Sequence, residues 1–442
     1  MFARLRRGLT KALGVVALAA SGSGCGPAGD VQSQAERYLG DASFRRSELE
    51  ASLVNPSNAY SFVRLQHYGS GRDGDWDRLP EWNPPVELVA PRELDAPGGA
   101  SPSRLSPNAA ALALPDDIRS VDDRRLVALG REAFGRYPVQ LAPHWRVALT
   151  SRTAAAHYGL QVDDSRGIVG ALVRARMADG SGALMVTCAT CHAAPRGGSI
   201  ADGPPNADLD AGAALLDAAT DAIDPVVAAA VAAWGRGRLD VTTATGSEPA
   251  RIPDLRPARW LSYLQQDATV RARDIAALAI RIETLIIVSH NAVTRPPRVV
   301  ALALAAYLSS LADELPLIDA AAAASSRGAG LFASRCSGCH RGPGLTGEPV
   351  PLAMIGTDPT LGNSADRGTG AYRVPSLRGV GTRGPLLHDG TLPSLAAMFD
   401  PSRDTSAFAA RLHGAGAVPG HPFGLDLDAT DRTALLGFLG SL

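Results

Sequence analysis

The stretch VTCATCHAAP, residues 186–195, holds two cysteines three positions apart and a histidine directly after the second one. A second copy of this CxxCH pattern lies in SRCSGCHRGP, residues 334–343, so the two copies use four of the 5 cysteines of the chain. CxxCH is typical of covalent c-type haem attachment. Two thiols on one helical turn reach both vinyl groups of a porphyrin, and the next imidazole reaches the iron. The sequence therefore predicts two covalently attached haems.

The predicted attachment residues are Cys188, Cys191 and His192 for the first haem, and Cys336, Cys339 and His340 for the second. Three other uses of the cysteines compete with haem. A zinc site would take thiolates from both pairs, but structural zinc motifs seldom place them so far apart. A thioredoxin-like redox pair expects a βαβ context, and a structural disulfide is rarely needed between neighbours at i and i+3. Two complete CxxCH motifs in an exported chain favour haem.

The start of the chain has the layout of an export signal. Residues 1–24 carry basic residues, then a short apolar core and small residues before Cys25. This pattern predicts a signal peptide and a protein of the periplasm or cell envelope. Cys25 follows Gly-Ser-Gly, which resembles a lipoprotein cleavage box and predicts a lipid-anchored first mature residue. The alternative is ordinary cleavage, which leaves Cys25 free or removed.

The composition limits the classes of partner and of fold. The 442 residues, 45% of them hydrophobic, suffice for two or three domains. The net charge of −1 gives no basic excess, so nucleic acid is not predicted as a partner. Residues 25–125 are rich in Pro, Gly, Ser and Asp, which predicts an irregular N-terminal arm. Within this arm, residues 60–83, with Trp76 and Trp82, are expected to pack onto the body.

Helical periodicity appears at residues 122–134 and in two later segments that resemble each other. The apolar positions of these segments, at i, i+3, i+4 and i+7, are Leu304, Tyr307, Leu308 and Leu311, and Leu435, Phe438, Leu439 and Leu442. The second segment follows Asp428, a good N-cap residue. Each CxxCH is followed by one such amphipathic helix. This predicts two haem domains, residues 126–312 and 313–442, the first enlarged by an insertion around residues 198–275.

The ligand on the far side of each iron decides whether a haem carries electrons or reacts with small molecules. After the first CxxCH no histidine follows until His290, which is interpreted as a surface-loop residue. Met177, His144 and His157 are weak alternatives. The first haem is therefore the candidate for an open iron, with His192 as its proximal ligand.

The second haem has more candidate ligands, namely Met354, His388, Met398, His413 and His421. Met398 lies at helical spacing from Leu395, which favours a core role, and Met354 before a turn is given the same interpretation.

The stretch GTGAYRVPSLRGVGTRGPLLHDGTLPSLAAMFDPSR, residues 368–403, resembles the Pro-Ser-Leu-Arg and His-Asp-Gly signature of bacterial dihaem cytochrome c peroxidases and their relatives. These relatives include the MauG-type enzymes and the dihaem rubber oxygenases. The blocks IGTDPT, residues 355–360, and GHPFGLDL, residues 420–427, resemble the rubber-oxygenase-like branch. The resemblance implies a mainly α fold with two cytochrome c-type domains in tandem.

The resemblance also implies roles for individual residues. The first haem would be catalytic and the second would relay electrons, with His421, before His413, as its distal ligand. His388 would lie near the haem edge or propionates, with Arg378 nearby. Relatives often bind calcium between the domains. Asp389 and Asp358 are candidate ligands, although aspartates in surface turns are the commoner explanation.

Two departures from that family bear on activity. The peroxidases usually carry a histidine shortly after the first CxxCH, and this chain has none there. Glu283 is a candidate acid-base for peroxide cleavage, although its helical context favours a solvated charge.

The function predicted is that of an exported dihaem c-type cytochrome oxidoreductase with peroxidase-like activity. It would reduce hydrogen peroxide, or activate dioxygen, at the first haem, with electron relay through the second and a small redox protein as partner. The alternative is a dihaem electron-transfer cytochrome without catalysis, in which both irons are six-coordinate. A third hypothesis is a sensor or anchored haem lipoprotein that has lost turnover.

Overall fold

The computed structural model describes residues 28–68, 75–115, 123–220, 223–240, 246–315 and 326–442. The predicted signal peptide and Cys25 lie outside these ranges. The described residues are mainly helical, as predicted, with several short antiparallel strand pairs. None of the described helices combines the length and the apolar character needed to cross a bilayer.

The α-helices are α1 Ala28–Gly40, α2 Ala42–Ser52, α3 Ala59–His67, α4 Pro91–Leu94, α5 Asp123–Arg136, α6 Arg152–His157, α7 Cys188–His192, α8 Ala211–Ala218, α9 Pro225–Ala232, α10 Ile275–Ser289, α11 Arg298–Ser310, α12 Arg327–Arg335, α13 Leu352–Ile355, α14 Leu395–Met398 and α15 Ala429–Gly440. The strands are β1 Val86–Leu88, β2 Gln140–Leu141, β3 Val162–Asp163, β4 Ile168–Val169, β5 Val173–Arg176, β6 Gly182–Val186, β7 Ala193–Arg196, β8 Ser199–Asp202, β9 Arg238–Leu239, β10 Ala250–Arg251, β11 Tyr263–Leu264, β12 Val270–Arg271, β13 Gly347–Pro351 and β14 Ala371–Val374.

The prediction of an irregular N-terminal arm is wrong for its first part, which forms α1, α2 and α3. Asp41 and Asn58 cap α2 and α3, because their side chains accept hydrogen bonds from the first-turn amides. The helices were missed because their buried faces are small and partly polar, so they lack a continuous apolar stripe. Trp76 is buried in the same core as α1, which agrees with the expected packing of this segment.

Two helix pairs repeat one contact. In the first pair, α5 approaches α11 so closely that a Cβ on Gly130 would meet the carbonyl of Ala303 and the side chain of Tyr307. In the second pair, α12 approaches α15, and a Cβ on Gly328 would meet the carbonyl of Ala434 and the side chain of Phe438. Because Tyr307 and Phe438 are equivalent in the repeated sequence pattern, the helix pairs support the predicted repeat.

The later helices follow their predicted patterns, with one difference. Helix α15 begins after Asp428, whose side chain accepts a hydrogen bond from the Asp431 amide, as expected. Helix α11 was expected to bury one stripe, but residues 299–305 are all buried. The reason is that α1, α5 and α10 pack around α11, so that more than one of its faces is covered.

The two CxxCH motifs are connected to their helix pairs in different ways. The second follows directly, because Cys336 is the C-cap of α12. The first is separated from α5 by an antiparallel sheet with the strand order β1-β5-β6-β2. In this sheet Val173 pairs with both Leu88 and Met185. Strand β6 ends at Val186 and leads straight into α7, so the sheet sets where the first motif begins.

Candidate functional site

The first CxxCH motif forms one short helix, α7, so Cys188, Cys191 and His192 lie within little more than one helical turn. Its first turn is closed by Thr190, whose Oγ1 accepts a hydrogen bond from the Thr187 amide at 3.2 Å. Cys188 packs against the core built on α5, α10 and α11, and Cys191 packs against a second core that contains Trp145. Burial raises the pKa of both thiols to about 12. An uncharged thioether suits these positions better than a thiolate would.

His192 has the hydrogen bond expected of an iron ligand. Its Nδ1 lies 3.0 Å from the carbonyl oxygen of Pro253. A carbonyl can only accept, so Nδ1 carries the proton and donates it. Burial lowers the pKa of His192 to about 4, which keeps the imidazole neutral. A neutral ring protonated on Nδ1 presents an unprotonated Nε2, the form that binds a metal.

The second motif lies in a turn at the end of α12 rather than in a separate helix. His340 Nδ1 lies 3.0 Å from the carbonyl of Leu345, so this ring is also oriented by a backbone acceptor. Burial, above all, lowers the pKa of His340. Cys336 packs against the third core, built around α14 and α15, and burial raises the pKa of its thiol to about 11.

The half-buried imidazole of His421 lies near His340. Burial lowers the pKa of His421 to about 3, and repulsion from His340 is the next largest cause. Among the described residues, its Nδ1 is buried without a hydrogen-bond partner. The backbone at His421 has a φ of 45°, a left-handed conformation that a non-glycine residue adopts at a cost. An unpartnered nitrogen on a strained backbone, beside a predicted axial histidine, fits a ligand to the same iron.

Arg403 holds the loop that carries His421. Its side chain is fully buried and donates to the carbonyls of Met398, Val418, Gly420 and His421, over distances of 2.5–2.9 Å. The His421 amide, in turn, donates to the carbonyl of Ile355 at 2.6 Å. The backbone of His421 is therefore held through both its amide and its carbonyl.

The alternatives to haem find no support in the arrangement of the cysteines. Cys188, Cys191, Cys336 and Cys339 are all free thiols. Across the described ranges, no three His, Cys, Asp or Glu side chains converge where they could hold a metal ion. A zinc site shared by the two pairs is therefore not formed. Two CxxCH motifs with neutral, oriented histidines, and with burial raising the pKa of the Cys188, Cys191 and Cys336 thiols, fit covalent haem.

The other ligand candidates of the second motif have different surroundings. Met398 is buried in the third core, which confirms its predicted packing role. Met354 is 65% exposed, so its predicted packing role is wrong; its short helix, α13, has no buried residue. His413 lies against Gly235, where a Cβ on the glycine would be 2.8 Å from its Nδ1.

His388 and Arg378, which the sequence resemblance placed near each other, have different neighbours. The His388 ring stacks on Tyr372 with the ring centres 4.0 Å apart. Arg251 donates its backbone amide to the His388 carbonyl at 3.1 Å. The Arg378 guanidinium lies over the Trp260 ring, 4.9 Å from its centre. Whether either residue contacts a haem stays a prediction.

The two candidate calcium ligands form turns. The Asp358 side chain accepts a hydrogen bond from the Thr360 amide at 2.8 Å, and that of Asp389 accepts one from the Thr391 amide at 3.1 Å. Both are therefore engaged in the turn role that the sequence also allowed.

His290 is not a surface-loop residue, so that interpretation is wrong. It is 8% exposed, and its Nε2 and Nδ1 contact the Pro138 carbonyl and the Thr294 hydroxyl, at 3.2 and 3.1 Å. Burial lowers its pKa to about 4. Because it caps the C-terminus of α10 and lies against Trp82, the local sequence could not reveal its burial.

Glu283 is not a solvated charge, since it is fully buried in α10. Its Oε2 accepts hydrogen bonds from Tyr68 and Tyr38, at 2.6 and 2.9 Å, and its Oε1 lies 3.3 Å from Arg298 Nε. The two tyrosines come from the N-terminal segment. This network connects the N-terminal segment to α10, and its hydrogen bonds use the carboxylate oxygens of the residue that was the candidate acid-base. The sequence did not reveal the network because its residues are far apart in the chain.

The solved structures that are similar to this chain include those of a MauG-like protein and of a diheme peroxidase. No protein-family model matches the chain, and no curated protein matches it. One solved structure is of a MauG-like protein associated with microbial copper homeostasis. It is 20% identical, and the match has a TM-score of 0.31 and covers 47% of this chain and 78% of that chain. The other is of the diheme peroxidase BthA from Burkholderia thailandensis. It is 16% identical, and the match has a TM-score of 0.31 and covers 82% of this chain and 94% of that chain. Neither description mentions a rubber oxygenase, so that finer resemblance stays a prediction.

Proposed function

We propose that this chain is an exported dihaem c-type cytochrome with peroxidase-like activity. It would reduce hydrogen peroxide, or activate dioxygen, at the haem of His192 and relay electrons through the haem of His340. The observation that carries the proposal is the asymmetry between these two histidines. Burial is the largest cause of the lowered pKa of both His421 and His192, but repulsion from His340 is the next cause for His421, and no other histidine of the described residues contributes at His192.

The cysteines and His192 would have separate roles at the first and second haems. Cys188 and Cys191 would attach the first haem, and Cys336 and Cys339 the second. Bound haem supplies one-electron redox chemistry, and an iron with one protein ligand leaves a position for a small oxidant. The chain supplies the neutral Nε2 of His192 on the proximal side of the first haem. The Pro253 carbonyl holds that ring in place and, by accepting the Nδ1 proton, makes Nε2 a stronger donor.

At the second motif, the chain would supply two imidazoles. His340 is oriented by the Leu345 carbonyl, and His421 is held by the Arg403 network. Two strong nitrogen ligands suit electron transfer, because they exclude small molecules from the iron. The proposal also includes a periplasmic or cell-envelope location, a lipid anchor at Cys25, and a small redox protein as electron partner.

Low-temperature EPR of the haem-loaded protein, fully oxidised and then half-reduced, tests the proposal. We expect one high-spin and one low-spin haem in at least one of these states, and turnover of hydrogen peroxide with a reduced donor. Two low-spin haems in both states would contradict the open iron and favour the electron-transfer cytochrome. A haemochrome assay that finds no haem would contradict the whole proposal.

A further inference from the structure

Three arginines from both halves of the chain lie close together near the axial histidines. Arg251 is on β10, two residues before Pro253, whose carbonyl holds His192. Arg373 is on β14 and donates to the side chain of Gln266, whose amide nitrogen donates to the Arg251 carbonyl at 3.4 Å. Arg383 follows β14, and its Nε lies 3.9 Å from Oδ2 of Asp254, the residue after Pro253. The three guanidiniums repel one another, since Arg251 and Arg383 both lower the pKa of Arg373, which burial brings to about 9.

Their hydrogen bonds within the described ranges go to neutral acceptors. Arg251 Nε donates to the Leu387 carbonyl at 2.9 Å. Arg373 donates to the side-chain oxygen of Gln266 at 3.3 Å, and Arg383 donates to the Ser376 carbonyl. The Nε atoms of Arg373 and Arg383 are buried without a partner in the same ranges.

The carboxylates nearby do not balance these charges. Asp254 Oδ2 is 3.9 Å from Arg383 Nε, but Asp254 is already bound by Arg256 through two hydrogen bonds of 2.6 and 3.0 Å. Asp267, which favours the charged form of Arg373, accepts a hydrogen bond from Thr269 and pairs with Arg367. The side chains of Arg251 and Arg383 are about nine-tenths buried. Buried cations whose charge is only partly balanced are costly, so a further anion would stabilise this arrangement.

Guanidinium groups match carboxylates best, because their parallel N–H bonds fit two oxygens at once. We propose that Arg251, Arg373 and Arg383 form a carboxylate-binding cradle between the two haem sites, occupied by propionate side chains of attached haem. This inference rests on the proposed haem attachment and deepens it. It adds three arginines to Arg378, the arginine that the sequence resemblance places near the propionates. A free carboxylate or phosphate anion offers the same chemistry, so the test separates the two sources.

The test compares R373Q and R383Q with R341Q in the haem-loaded protein. Arg341 follows His340 in the chain but is exposed. R341Q therefore removes one positive charge, as R373Q and R383Q do, but from a position that faces solvent. Spectroelectrochemical titration over a pH series is the measurement. We expect R373Q and R383Q to lower the midpoint potential of at least one haem by more than R341Q does, because a lost buried cation favours the ferric state. We also expect the acid limb of the potential–pH curve to move to higher pH, because a propionate without its cation holds its proton more tightly.

Added succinate or inorganic phosphate decides the source of the anion. With propionates in the cradle, neither should change the wild-type potentials. A concentration-dependent shift in the wild type that R373Q abolishes would overturn the propionate assignment and identify a free-anion site. Potentials and pH curves of R373Q and R383Q equal to those of R341Q would overturn the cradle.

The haemochrome count of the wild type is made first, so that failure of haem attachment is recognised as failure of the proposed function. A haem-free chain still contains the three arginines. Succinate or phosphate should then raise its Tm and leave the Tm of R373Q unchanged. The same response in both proteins, or none in either, would overturn the cradle.

Discussion

The two CxxCH motifs have the same spacing, but the chain holds them in different ways. The first is a separate helix between a sheet and two hydrophobic cores, and its histidine is oriented by Pro253, 61 residues away. The second continues a helix, and its histidine is oriented by Leu345, 5 residues away. The second also has a half-buried imidazole, that of His421, close by. The difference shows that the same short motif can have two different structural surroundings within one chain.

Removal of each cysteine pair should give the largest effect. We expect C188S/C191S and C336S/C339S each to lose the haem of its own motif and keep the other, so that haem per chain falls to about half. A pyridine haemochrome assay with an absorbance ratio against protein measures this. Each double variant is the matched control of the other. Full haem content in either variant would contradict covalent attachment at that motif.

The role of His421 separates the two motifs most directly. We expect H421A to convert the low-spin EPR signal of the second haem to high spin, since one of its two imidazoles is lost. H413A is the control, because His413 was the second candidate and lies against Gly235. A spin change in H413A together with an unchanged H421A would transfer the ligand role to His413.

The hydrogen bonds of the buried Arg403 side chain should contribute strongly to the stability of the fold around the second motif. We expect R403M to lower the free energy of unfolding by about 3 kcal/mol or more, because four backbone carbonyls lose their donor. Chemical denaturation monitored by circular dichroism measures the loss. R327Q removes an arginine that is 64% exposed, so it should change stability little. Equal losses in the two variants would show that the buried network adds nothing.

The first half uses a buried histidine for structure rather than for ligation. Burial lowers the pKa of His290 to about 4, below the value near 6.5 of an unfolded chain. At pH values between these two pKa values, His290 is protonated in the unfolded chain and neutral in the folded chain. The free energy of unfolding therefore falls as the pH drops from about 6.5 to about 4. The expected loss is about 2 kcal/mol at pH 5.

Denaturation at pH 7 and pH 5 checks this sign. H290N should show a smaller loss between the two pH values than the wild type, together with unchanged EPR spectra. An equal loss in both proteins would contradict the buried neutral state of His290, and altered EPR spectra would contradict its non-ligand role.

Local sequence predicted the parts of the molecule that depend on local spacing. The CxxCH motifs, the helix at Asp123–Arg136 and the Asp428 cap need only neighbouring residues, so their patterns are visible in the chain. The N-terminal helices were missed because their buried positions include Arg45 and Glu48, which read as surface residues. Their burial depends on distant partners such as Asp77 and Arg273, which no local pattern reveals.

The candidate site shows the same limit. No sequence motif marked Pro253 or Arg403. The Pro253 carbonyl binds His192, and the Arg403 side chain binds backbone carbonyls, and both contacts form only in the folded chain. Glu283 and His290 were interpreted as exposed because a single charged or polar residue in a helix or loop usually is. The tyrosines that bind Glu283 are more than 200 positions away, at residues 38 and 68.

The contacts at Gly130 and Gly328 have a consequence for how this chain can change over time. At both positions even a methyl group would overlap a main-chain carbonyl of the facing helix. Neighbouring helix positions can exchange one apolar side chain for another, but these two cannot gain an atom unless the helices separate. If the two halves descend from one ancestral module, these glycines and the CxxCH residues are the places where the shared ancestry should persist longest. An alignment of the halves should therefore start from the glycines, not from the sheet that stands between α5 and the first motif.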